Sequence, residues 1–233
     1  MVKSIVNEIL SDFVTLFFPR YCLACNGSLV KGETVICTHC MLEMPQTNHH
    51  LDSENSLCKR LSIRIPLKYG MALFRFTKSG NVQTLLHSLK YRNHPEIGVV
   101  LGKMYGEKLQ EFGYHRQWDL IIPIPLHTAR ARKRGYNQSG KFAEGLSEKL
   151  HVPFSERALK RNRKTETQTK KSKLKRWENV ETVFEVMMPE EISNQRILLV
   201  DDVVTTGATI EACVSVLLGA GCREVSIACI AEA

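Results

Sequence analysis

An α/β fold is predicted for this chain of 233 residues, a parallel sheet flanked by helices with a small cysteine-bearing module in front of it. Three features predict it. Short apolar, β-branched runs alternate with longer stretches whose apolar residues recur at helical spacing, as in strands joined by crossover helices. Two of the runs end in loops rich in Pro, Thr and Gly, where a parallel sheet opens its ligand crevice. Two C-x-x-C pairs stand near the amino end and fit no strand or helix of such a sheet.

Residues 1–21 carry Ile5, Ile9, Leu10, Phe13, Leu16 and Phe17 in a mildly amphipathic pattern. It predicts a helix packed on its own protein, a membrane-surface helix being the rarer use of such a stripe. Cys22-Leu-Ala-Cys25 and Cys37-Thr-His-Cys40 follow, separated by eleven residues. Two such knuckles suit tetrahedral zinc, each turning two thiolates toward one centre, and four thiolates leave no open position for water, so the zinc is expected to be structural. His39 is surplus to that set. Residues 45–60 are polar, with Pro45, Asn48 and Asn55, and read as a linker in which His49 and His50 are exposed. The expected division is an N-terminal helix and four-cysteine module over residues 1–60, and the sheet domain over residues 61–233.

From Asn81 the pattern is helical. Val82, Leu85, Leu86 and Leu89 form one stripe, and Ile97, Val100, Leu101, Met104, Tyr105 and Leu109 another. Asp119 to Ile124 predict a buried strand ending in Pro123-Ile-Pro-Leu-His127, followed by a basic loop. A helix with Phe142, Ala143, Leu146 and Leu150 on its apolar face comes next, capped by Asn137. Ile197 to Val200 predict a second buried strand, Ile210 to Leu218 a helix, and Glu224 to Ile230 a last strand. Cys213 and Cys229 fall on apolar faces and are expected in the core.

The most informative segment is Arg196-Ile-Leu-Leu-Val-Asp-Asp-Val-Val-Thr-Thr-Gly-Ala-Thr209. Its loop joins the carboxyl end of a strand to the amino end of a helix. Free N–H groups and the positive end of the helix dipole converge there, favouring a phosphate, while the threonines offer hydroxyls and Gly207 permits close approach. Asp201 and Asp202 beside an apolar strand need hydrogen-bond donors or a cation. The stretch resembles the signature of type I phosphoribosyltransferases. That resemblance implies a parallel sheet of this type, Asp201 and Asp202 as the catalytic pair holding ribose hydroxyls, and Thr205, Thr206, Gly207, Ala208 and Thr209 around the 5-phosphate of phosphoribosyl pyrophosphate (PRPP). It also gives Arg130, Arg132 and Arg134 a role on the pyrophosphate, which guanidinium forks hold well. If their stretch is extended the three share a side; if it is helical they do not.

The net charge of +8 is local. Arg157 to Arg176 hold ten basic residues and one acid, Glu166, leaving −1 for the rest of the chain. A basic stretch of this kind suits a polyphosphate, a nucleic acid or a solvated face. No apolar run approaches the ~20 residues of a membrane span, and a soluble cytoplasmic protein is expected.

Paired cysteine knuckles, Leu-Lys90-Tyr-Arg, Pro-Ile-Pro-Leu-His127, Arg-Gly-Tyr-Asn-Gln138, Thr-Glu-Thr-Gln168, Arg176-Trp-Glu-Asn179 and Asp-Asp-Val-Val-Thr-Thr-Gly-Ala-Thr209 follow one another in the order of the ComF family, which the chain resembles from about Cys22 to Ala233. Where longer members carry a further cysteine pair, only Cys58 stands here. Membership implies a phosphoribosyltransferase-like protein acting in DNA uptake during natural competence, with PRPP or a nucleoside 5-phosphate as ligand and magnesium accompanying PRPP. The reaction implied is displacement of pyrophosphate from C1 by a nitrogen nucleophile. The alternative is a non-catalytic component that senses a nucleotide or grips single-stranded DNA among competence proteins.

Overall fold

The structure, a computed structural model, describes residues 18–162 and 183–233. The N-terminal stripe of residues 1–17, most of the basic stretch, and the Thr-Glu-Thr-Gln168 and Arg176-Trp-Glu-Asn179 motifs lie outside the described residues.

Four parallel strands form the sheet in the order β1 (Gly70–Arg75), β6 (Glu224–Glu232), β5 (Arg196–Val204), β2 (Leu120–Pro123). Successive side chains alternate between its faces. Met71, Leu73, Ile121, Leu198, Val200, Ala228 and Ile230 face one core, shared with α3 (Asn81–Tyr91), α4 (Glu96–Glu111) and α6 (Gln138–Leu150). Ala72, Ile122, Ile197, Leu199, Ile227 and Cys229 face the other, shared with α2 (Ser56–Ser62) and α8 (Ala208–Gly219). Both faces are therefore covered, as the continuous apolar runs in the sequence require. At the amino ends of the strands Asp119 takes the Arg196 guanidinium in a fork of 2.6 and 3.0 Å, tying β2 to β5. No helix among the described residues is long and apolar enough to cross a membrane.

Several elements depart from the sequence reading, beginning with β1, for which no strand was expected. The basic stretch after Pro123 is a helix, α5 (Thr128–Arg134), opened by His127 and closed by Gly135 at φ 77°. Two short strands, β3 (Leu159–Arg161) and β4 (Phe184–Val186), pair antiparallel beside the sheet. Residues 45–60 are no plain linker, since a 3₁₀ turn (His49–Leu51) and α2 occupy them. His49 and His50, expected to be exposed, are buried at 4% and 7% exposure. The reason is non-local. Residues 45–49 lie along the outer edge of β1, where Thr47 and Pro45 exchange backbone bonds with Leu73 and Arg75, and His49 Nδ1 accepts the Ala72 N–H at 3.3 Å. Burial lowers the pKa of both imidazoles; His50 packs edge-on against Phe112, and His49 Nε2 stands 3.3 Å from Glu232 Oε1.

Candidate functional site

Strands β2, β5 and β6 end on one side of the molecule, and the predicted site residues gather there. The backbone turns from β5 into α8 through Thr205 and Thr206, both exposed, and buried Gly207 at φ 86°. Ala208 and Thr209 open α8, so its unpaired first N–H groups line the loop. Of these, the Ala208 N–H makes a long bond to Thr206 Oγ1 at 3.5 Å. Arg64 clamps the loop from outside, donating to the Thr206 carbonyl and, at 2.6 Å, to Glu211.

The two aspartates are not equivalent. Asp201 is partly buried, its Oδ1 accepting the Ser139 hydroxyl at 3.1 Å and the Asp202 N–H at 2.8 Å. Burial, with the Asp202 charge, pushes its carboxyl up to about 7, opposed by those two donors and by Lys90. Asp202 pairs instead with Lys90 from the last turn of α3, whose Nζ reaches its Oδ1 at 2.9 Å.

Next to the acid pair lies a cavity of about 410 Å³ lined by Lys90, Tyr91, Asn93, Arg130, Lys133, Arg134 and Tyr136. Because α5 is helical, Arg130 and Arg134 share a face toward this cavity, whereas Arg132 points away from it, as helical spacing dictates. Arg134 is fixed on two sides, stacked over the Tyr91 ring at 5.1 Å from its centroid and donating to Gln138 Oε1 at 2.7 Å. Asn137 begins α6 but makes no side-chain cap; its amide instead donates to the Ile124 carbonyl at 3.1 Å, fixing the turn after β2. Lys90 and Tyr91, read from the sequence only as part of a motif, and Ser139 were assigned no place at the site. The signal for Ser139 and its neighbour Gln138 is two polar residues buried in the first turn of a helix.

The second centre is the cysteine cluster. Cys22, Cys25, Cys37 and Cys40 bring their sulfurs within 4.8 Å of one another. The Cys25 and Cys37 sulfurs stand 3.8 Å apart, the edge of a tetrahedron with metal–sulfur bonds of about 2.3 Å. Backbone N–H groups of Ala24, Gly27, Cys37 and Cys40 point at these sulfurs at 3.3–3.4 Å. Burial would raise the Cys22 thiol, but N–H donors from Cys25, Cys37 and Ala24 outweigh it and bring it down to about 7, while burial and the neighbouring thiols push Cys40 up. The cluster can hold a metal ion and fits a zinc ribbon. Asn81, at the start of α3, donates to Cys40 Sγ at 3.5 Å and joins it to the sheet domain.

Comparison with known proteins agrees with this geometry. Residues 87–233 match the family described as "Phosphoribosyl transferase domain". The chain is 31% identical over 229 residues to the DNA utilization protein YhgH of Salmonella typhi, covering 92% of this chain and 98% of that one. It is 27% identical over 221 residues to Competence protein F of Haemophilus influenzae (91% and 96% covered), and 28% over 202 residues to Competence protein ComFC of Bacillus subtilis (87% and 79% covered). With its cysteine ribbon ahead of a phosphoribosyl transferase domain and these relatives along nearly its whole length, the chain belongs to the ComF family.

Proposed function

We propose that the protein binds PRPP at the carboxyl end of β5 and transfers its phosphoribosyl group, within the handling of DNA to which its relatives' names refer. The observation that carries this is the side-by-side placement of an acid pair, a helix-opening threonine loop and a cation-lined cavity. In this reading Asp202 accepts from a ribose hydroxyl and Asp201 holds Asp202 in place through its backbone N–H. The N–H groups of Ala208 and Thr209 with the hydroxyls of Thr205, Thr206 and Thr209 take the 5-phosphate. Arg130 and Arg134 hold the pyrophosphate, and Arg132 serves the outer face of α5. Pentosyl transfer needs no covalent nucleophile; positioning of C1 and stabilisation of the departing charge are sufficient work for these groups.

Among the described residues Asp202, paired with Lys90, is the carboxylate beside the cavity; one carboxylate is too few to cage magnesium alone, so the ion would arrive on the substrate's phosphates and neutralise charge there. The cysteine ribbon holds zinc, as its sulfur spacing favours. The chain works in the cytoplasm, where thiols stay reduced.

The test is calorimetric titration of PRPP with magnesium into wild type and an Asp201→Asn/Asp202→Asn variant. Binding lost in the variant supports the clamp, and pyrophosphate release in the presence of candidate bases and amines would establish transfer. Absence of binding in wild type would sink this reading. A second reading, retention of single-stranded DNA, is favoured by one observation: Tyr91, 64% exposed, carries Arg134 on its ring beside three further cations, a stacking platform for bases. DNA affinity that falls steeply with salt and ignores both aspartates would favour it.

A further inference from the structure

Lys90 occupies two places at once. Its ammonium sits 2.9 Å from Asp202 Oδ1, and its side chain forms part of the wall of the cavity lined by Arg130, Lys133 and Arg134. Among the described residues no other side chain is recorded both touching the acid pair and lining this cavity. The pair is largely shielded, with 23% and 14% of the two side chains exposed. Such a lysine, compact, flexible and carrying three donors, can exchange one anion for another without leaving its site.

We infer that Lys90 is a carried cation of the substrate site: it neutralises Asp202 while the site is empty and donates to the pyrophosphate when PRPP binds, leaving Asp202 to the ribose. This rests on the PRPP reading above and adds to it a residue from a helix outside both loops. The charge balance argues for it. The cavity wall holds four cations, Lys90, Arg130, Lys133 and Arg134, and no acid, so a dense anion there meets no repulsion. A ribose hydroxyl approaching Asp202 must displace a donor from Oδ1, and the displaced ammonium has a new acceptor within reach only if an anion fills the cavity. Occupation of the cavity and exposure of Asp202 are thereby linked, and a sugar phosphate lacking pyrophosphate gains nothing from Lys90.

The experiment titrates inorganic pyrophosphate and ribose 5-phosphate separately, with magnesium, into wild type, Lys90→Met and Lys90→Arg. Lys90→Met is expected to weaken pyrophosphate about tenfold or more, the scale of one charge-assisted hydrogen bond. Ribose 5-phosphate should bind it as well as wild type or more tightly, since Asp202 is released. Lys90→Arg, which keeps the cation, should recover most of the pyrophosphate affinity. Equal loss of both ligands in Lys90→Met would overturn the inference, because it would mark the ion pair as merely structural. Unchanged pyrophosphate binding in Lys90→Met would overturn it while leaving the PRPP reading intact. Wild type binding neither ligand, nor PRPP, would remove both.

Discussion

At the scale of single residues, the site turns on one acid with a raised pKa and one glycine in the left-handed region. Desolvation in the fold, with the Asp202 charge beside it, raises the Asp201 carboxyl from 3.8 to about 7. Between those values the unfolded chain has released a proton that the folded chain still holds. Stability therefore falls as pH rises from about 4 to 7 and is level above that, by at most about 4 kcal/mol if the whole shift is expressed. Asp201→Asn cannot titrate, so its stability relative to wild type should improve between about pH 4.5 and pH 7.5 in urea unfolding; a constant difference would mean that the carboxylate is ionised throughout. Gly207 is constrained twice. Its φ of 86° suits a residue without Cβ, and an added methyl would strike the Leu61 side chain. Gly207→Ala should cost about 1–2 kcal/mol in the left-handed region alone. By shifting the Thr205–Thr209 loop, it should also weaken ribose 5-phosphate binding more than pyrophosphate binding.

At the scale of elements, α4 and α6 pack backbone against backbone. A Cβ at Gly102 would run into the Phe142 carbonyl and the Gly145 Cα, and one at Gly145 into the Val99 carbonyl and the Lys103 amide. The obstacle in each case is backbone, which cannot rotate aside, so Gly102→Ala should reach the upper end of the ~1–3 kcal/mol typical of overpacking. A lowered Tm with retained ligand affinity would place the damage in this helix pair; a fall of less than a degree would show that the helices separate easily. These helices were legible because their apolar residues recur at helical spacing, and β5 with α8 was legible because a continuous apolar run, Ile197 to Val200, is followed beyond the acid pair and the threonine loop by a helical stripe from Ile210. By contrast, α5 has no buried residue and so no stripe, which left Arg130 and Arg134 without a common face until the helix was seen. Strands β3 and β4, three residues each, are too short to show a period. The burial of His49 and the pairing of Lys90 with Asp202 depend on segments far apart in the chain, which no local pattern records.

At the scale of the whole molecule, the cysteine ribbon is joined to the sheet along its edge. Cys22 and Cys40 belong to the same core as Met71, Leu73 and Phe74, and the chain leaving the ribbon exchanges backbone bonds with Leu73 and Arg75 of β1. Asn81 adds a third attachment, from α3 to Cys40 Sγ. The ribbon contributes few large apolar side chains of its own, so metal binding should supply most of its folding energy. Removing the metal then has a consequence beyond the ribbon. With residues 45–49 released, β1 becomes an uncovered edge strand, its outward N–H and C=O groups open to another chain. Treatment with a strong chelator, or Cys22→Ser, should therefore abolish hydrogen-exchange protection over residues 18–48, reduce it in β1 and promote association between molecules. β5 and β6, paired on both sides within the sheet, should keep their protection, and so should the acid pair they carry. If β1 were unaffected while the ribbon opened, the two parts would be independent and the ribbon free to serve a partner. If the ribbon kept its protection without metal, its fold would not depend on zinc at all.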